Sequence, residues 1–178
     1  PLIALVGNPN SGKTSLFNVL TGSSQKVGNY PGVTVERVTG KTRIGDQTIN
    51  VVDVPGLYSM RPVSVDEEVA TNEIGGLAAE GEPDVLVCVI DAANLERNLY
   101  FFSQLLGAQI PTVIALTMTD VLKGDGQEVD HIRLAELLGI EVVPVISHKG
   151  VGLDQLRPAA GDDGRQLHRH QRGIGRRQ

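Results

Sequence analysis

The chain has 178 residues, 40% of them apolar and 21% charged, which suits one soluble domain with a core of its own. Its longest apolar runs, such as residues 85–90, fall far short of a membrane span, and no basic lead precedes the apolar start at 2–6, so the expected setting is the cytoplasm. The net charge of −5 divides into an acidic body and a basic end, with five Arg against two Asp in residues 158–178, and an acidic body argues against a dedicated nucleic-acid binder.

In chain order, apolar runs at 2–6, 49–54, 85–90, 112–116 and 141–146 read as strands. Between them, segments 13–21, 66–80, 94–108 and 127–138 have helical spacing, marked by Leu16, Val19 and Leu20 in the first and by Leu134, Leu137 and Leu138 in the last. Continuous apolar strands are expected where helices cover both faces of a mostly parallel sheet. Residues 36–43 alternate around Val38 and Gly40, turn at Gly45-Asp46 and pair with 47–53 as an antiparallel hairpin at the sheet edge. The expected fold is therefore α/β, with a six-stranded sheet. Cys88 sits inside the run 85–90 and reads as packing. Residues 158–178 drop all periodicity for Gly, Gln, His and Arg, and read as a basic tail following a domain at 1–157.

Gly7-Asn8-Pro9-Asn10-Ser11-Gly12-Lys13-Thr14, followed by Ser15, matches the phosphate-binding P-loop and lies between the first strand and the first helix. Glycines let the backbone approach phosphate, the loop N–H groups and helix N-terminus hold anionic oxygens, Lys13 neutralises β and γ charge, and Thr14 offers a hydroxyl to Mg²⁺. Asp53-Val54-Pro55-Gly56 ends a later strand, so Asp53 can reach a water on Mg²⁺ while the Gly56 N–H senses a γ-phosphate. Together the two motifs indicate a P-loop NTPase of the Ras-like G-domain type. Asn29-Tyr30-Pro31-Gly32-Val33-Thr34 lies between them, and Thr34 is the expected first-switch ligand of Mg²⁺. Segments 26–39 and 56–69 are the expected mobile switches.

The asparagine-bearing P-loop, the Asn-Tyr-Pro-Gly-Val-Thr segment and Asp53-Val54-Pro55-Gly56-Leu57-Tyr58-Ser59 together resemble FeoB, the family of ferrous iron transporters with a cytoplasmic G domain. The resemblance covers roughly residues 1–157. It implies GTP and GDP as ligands, Mg²⁺ and K⁺ as cofactors, hydrolysis with Asn10, Lys13, Thr34 and Gly56 in catalytic roles, and a membrane domain as partner at the cytoplasmic face of the cell membrane. It further implies that Asn10 helps bind K⁺ beside the phosphates, with carbonyls around Asn29 completing the shell. Leu57 stands where Ras-like proteins place a water-orienting Gln, and an aliphatic side chain cannot do that, so slow intrinsic turnover is expected.

Two base-recognition loops depart from the family pattern. The family's Asn-x-x-Asp is here Thr117-Met118-Thr119-Asp120, which keeps the guanine-reading Asp but replaces an amide with a hydroxyl. The last base loop, usually Ser-Ala, aligns as Ile146-Ser147, followed by His148. Lower guanine affinity and faster GDP release are expected. Residues 158–178 lack the apolar spacing of the helical domain that follows in the family, and a missing packing partner would favour homo-oligomers, with exchange of elements between copies. Ribosome-assembly or tRNA-modification GTPases, and a non-hydrolysing nucleotide-binding scaffold, are the competing functions.

Overall fold

The computed structural model describes residues 1–22, 24–75 and 81–161. Its strands are β1 (Leu2–Gly7), β2 (Lys26–Asn29), β3 (Glu36–Ile44), β4 (Gln47–Asp53), β5 (Val85–Asp91), β6 (Thr112–Thr117) and β7 (Val142–Pro144). They form one seven-stranded sheet in the order β2-β3-β4-β1-β5-β6-β7. The pairs β1–β4, β1–β5, β5–β6 and β6–β7 are parallel, whereas β2–β3 and β3–β4 are antiparallel. The helices are α1 (Lys13–Thr21), α2 (Val65–Ile74), α3 (Leu95–Leu105), α4 (Thr119–Gly124), α5 (His131–Leu138) and α6 (Leu153–Ala159).

Strand alternation sends side chains to two cores. Leu2, Ala4 and Val6 of β1 join Ile74 of α2 and Phe101, Phe102 and Leu105 of α3 on one face. Ile3 and Leu5 join Leu16, Phe17 and Leu20 of α1 and Leu153 and Leu156 of α6 on the other. Both faces of β1 and β5 are thus buried, which is why these strands read as unbroken apolar runs. Cys88 is fully buried, and burial pushes its thiol far above the ordinary range, in keeping with packing. Because β1, β4 and β6 run parallel, their C-terminal ends bring the P-loop, the 53–56 segment and the 117–120 loop to one edge of the sheet.

The six-stranded expectation is corrected to seven. The added strand, β2, lies inside the expected first switch, where it pairs from Lys26↔Thr39 to Asn29↔Glu36 on the outer edge of β3. All four of its residues are exposed, so no alternation of apolar residues marks it in the sequence; backbone pairing alone defines it. The helix anticipated over 127–138 is the shorter α5, which Asp130 caps by accepting a hydrogen bond from Arg133 N at 2.9 Å, and α4, before it, was not anticipated. Ser64 caps α2 in the same way, and Asp66, Glu67 and Glu68 occupy its first turn, where negative charge is favourable. Helix α6 runs past residue 157, with Ala159 and Ala160 buried. The remainder of the expected tail, from 162, lies outside the described residues, as do 76–80 of the second expected helix. Among the described residues no helix is long and apolar enough to cross a membrane.

Candidate functional site

The P-loop leaves β1 at Gly7, whose position is set by close packing: a Cβ there would lie 2.7 Å from Val89 O and 3.0 Å from Ser11 Oγ. Two left-handed residues, Asn10 at φ 63° and Gly12 at φ 89°, then turn the chain into α1. The turn aims the helix N-terminus and its unpaired N–H groups into a cleft of about 580 Å³. Asn8, Pro9, Asn10, Gly12, Lys13, Thr14 and Ser15 line one wall of it, and Pro55 and Gly56 another.

Within this cleft the Asp53 carboxylate gathers the charged chemistry. Lys13 Nζ donates to Asp53 Oδ1, and Thr14 Oγ1 donates to Asp53 Oδ2 at 3.1 Å. The Lys13 and Asp53 side chains are each only 9% exposed, so the ion pair is largely shielded from water. Gly56 sits directly against the P-loop, since a Cβ on it would lie 2.9 Å from Pro9 Cγ and 3.0 Å from Pro9 N. Leu57 is fully buried and its N–H donates to Gly7 O at 3.0 Å, so the residue after the Asp53–Gly56 motif holds the P-loop from behind and puts no side chain into the cleft.

The structure brings Asn10, Lys13, Thr14, Asp53 and Gly56 together, but not Thr34 or Asn29. Thr34 is exposed at the tip of the β2–β3 hairpin, and Asn29 ends the exposed β2; neither lines the cleft. Two residues that do line it escaped sequence reasoning as cleft residues, Pro55 and Asp66; Asp66 is brought there by the capped start of α2. A second, smaller cavity of about 160 Å³ lies behind the P-loop, lined by Asn8, Ser11, Asp91, Asn94, Arg97 and Asn98, among others. Both amide atoms of Asn8 and the Ser11 hydroxyl are buried without a partner among the described residues.

The two loops expected to read the base converge on a third cavity of about 140 Å³, lined by Gly12, Ser15, Thr117, Met118, Asp120, Ile146, Ser147 and His148 among others. His148 Nε2 stands 3.8 Å from Asp120 Oδ2. Thr117 is buried, and its hydroxyl lies 2.6 Å from Ser11 O and 3.1 Å from Ile90 O, bridging the P-loop and β5. A hydroxyl therefore ties the 117–120 loop to the P-loop. Thr117→Val keeps the shape and removes that tie, leaving the buried Ser11 carbonyl short of a donor. The expected cost is about 1–3 kcal/mol, read from the urea unfolding midpoint. An unchanged midpoint would mean that the bridge contributes nothing.

A profile of the family described as ferrous iron transport protein B matches residues 2–160. The chain belongs to the FeoB family. It is 45% identical over 161 residues to the Fe(2+) transporter FeoB of Salmonella typhimurium, covering 88% of this chain and 20% of that relative. The chain thus spans about a fifth of the length of that FeoB protein. Among solved structures, a GDP-bound point mutant of S. thermophilus NFeoB superposes with a TM-score of 0.82 at 46% identity, covering 89% of this chain and 61% of that one. The G domain of T. maritima FeoB superposes with a TM-score of 0.80 at 39% identity, covering 88% of this chain and 94% of that one. The fold is that of FeoB G domains, a P-loop NTPase fold, and the matched region includes the P-loop cleft and the 117–120 and 146–148 loops.

Proposed function

We propose that this domain binds GTP and GDP, hydrolyses GTP slowly, and serves as the regulatory G domain of a ferrous iron uptake transporter whose membrane portion is its partner. The observation that carries this reading is the Asp53 carboxylate joined to both Lys13 and Thr14 at the N-terminus of α1. In a Ras-like site these are the phosphate-binding lysine, the hydroxyl ligand of Mg²⁺ and the carboxylate of its outer shell. The convergent oxygens of Thr14 and Asp53 form a hard donor set that fits Mg²⁺, which when bound neutralises charge on the β- and γ-phosphates.

The residues of the chain divide the remaining work. Lys13, the P-loop N–H groups and the α1 N-terminus hold the phosphates and stabilise charge that grows during transfer. The Gly56 N–H, braced against Pro9, is placed to sense the γ-phosphate. Asp120 accepts the guanine N1 and N2 hydrogens, within the cavity formed with Ile146, Ser147 and His148. Thr34 reaches the cleft by movement of the β2–β3 hairpin, which ties the first switch to the triphosphate state. With Leu57 buried, no side chain at that position orients water, so turnover is slow.

Asn10 is the proposed side-chain ligand of K⁺, with carbonyls around Asn29 reaching it when the hairpin moves. It lines the phosphate cleft from a left-handed backbone position that turns it outward. Single-turnover GTP hydrolysis in KCl and in NaCl tests both hydrolysis and activation. The expected result is faster hydrolysis in K⁺ for the native chain and no K⁺ preference for Asn10→Ala. Full K⁺ stimulation in Asn10→Ala would contradict the assignment, and no hydrolysis in either salt would leave a nucleotide-binding scaffold.

A further inference from the structure

The first-switch hairpin and the second-switch helix meet in a buried polar cluster outside the phosphate cleft. Glu73, in the last turn of α2, is 0% exposed. Its Oε1 accepts a hydrogen bond from Arg37 Nη2 of β3 at 3.2 Å. The Arg37 guanidinium lies 5.6 Å from the centre of the Tyr30 ring, and Tyr30 is itself buried. Tyr30 Oη and Glu73 Oε2 are buried, and among the described residues neither meets full hydrogen-bond geometry. The Glu73 carboxylate nonetheless stands close enough to act on the phenol: burial first, then this charge, push Tyr30 far above its ordinary range and keep it an O–H donor.

A buried carboxylate is costly to desolvate, and apolar packing commonly serves stability as well or better. Its position here explains more than stability does. Tyr30 N donates to Val35 O at 2.9 Å, and Val33 N donates to Tyr30 O at 3.3 Å, closing the turn that displays Thr34. Tyr30 precedes that turn and Arg37 follows it, so a single residue of α2 stands against both ends of the Thr34 loop, bonded to Arg37 and acting through its charge on Tyr30.

We propose that Glu73 is a positioning residue for the first switch, holding Tyr30 and Arg37 on either side of Thr34 so that α2 and the hairpin move as one unit. The inference rests on the reading of Thr34 as the first-switch Mg²⁺ ligand. Thr34 meets Mg²⁺ only when the first switch closes on a triphosphate, so loss of this hold acts on Mg²⁺-dependent hydrolysis and leaves GDP binding largely untouched.

The test is a Mg²⁺ titration of GTP hydrolysis in the native chain and in Glu73→Gln, Tyr30→Phe, their combination, and Thr34→Ala. Each of the first two is expected to raise the half-maximal Mg²⁺ concentration by about tenfold, the size of one hydrogen bond to a charged group, with the double variant no worse than the singles. Affinity for a fluorescent GDP is expected to stay within about twofold, which separates positioning from general loss of structure. If Thr34→Ala raises the Mg²⁺ requirement while Glu73→Gln and Tyr30→Phe leave it unchanged, or if their effects simply add, the coupling is overturned. If Thr34→Ala itself has no effect, the switch assignment of Thr34 fails first and the inference falls with it. Should Glu73→Gln not fold, Tyr30→Phe, which removes only a hydroxyl from a packed ring, carries the comparison alone.

Discussion

Lys13→Met is expected to lower affinity for both GDP and GTP by on the order of 10²- to 10³-fold, the usual consequence of truncating one partner of a shielded charge pair. The Lys13 ammonium is shielded within the cleft and bonded to Asp53, so its charge acts through low dielectric on any phosphate placed there. Lys13→Arg should not rescue it, because a planar guanidinium is bulkier than an ammonium and presents a fixed fork where the loop offers room for a compact charge. Titration with a fluorescent GDP checks the outcome, with thermal unfolding as the control for structure. A loss smaller than tenfold would mean that the phosphates sit elsewhere.

Gly56→Ala carries the second large expected effect, and it acts on chemistry more than on binding. The added methyl would lie 2.9–3.1 Å from the ring, nitrogen and Cα of Pro9. Hydrogen bonds from Val54 N to Leu5 O at 3.1 Å and from Leu57 N to Gly7 O at 3.0 Å pin the chain on both sides, so the segment cannot step back freely. The Gly56 N–H is displaced from the place where γ-phosphate charge would meet it. Hydrolysis is expected to fall about 10²-fold, the scale of losing one transition-state donor, with GDP affinity changed by less than about tenfold. Single-turnover rates and GDP titration on the same preparation separate the two, and equal losses in both would point to a collapsed P-loop.

What the sequence made legible follows from how strongly local chemistry is specified. The parallel strands are buried on both faces, so their composition declares them, and the P-loop and Asp53–Gly56 segments carry residue types that almost nothing but a phosphate site requires. The structure accordingly gathers Lys13, Thr14, Asp53 and Gly56 at one sheet edge. Strand β2 was illegible because all its side chains are exposed and only its backbone pairing defines it. Asp66 sits in the first turn of α2, and its presence in the cleft depends on where Ser64 caps that helix. Thr117 looked like a lost hydrogen bond, yet the P-loop carbonyl of Ser11 lies within reach of its shorter side chain. The Tyr30–Arg37–Glu73 cluster was equally hidden, since its members come from three separate elements and meet only through tertiary packing.

The step from phosphate cleft to guanine depends on Asp120 in a base cavity whose other loops carry Thr117, Ile146 and His148. Calorimetric titration of the domain with GDP and with ADP, in Mg²⁺ and K⁺, tests it most directly. Binding of GDP with no detectable binding of ADP is the predicted result; equal affinity for the two would contradict guanine selection and, with it, the assignment of this domain as a GTPase.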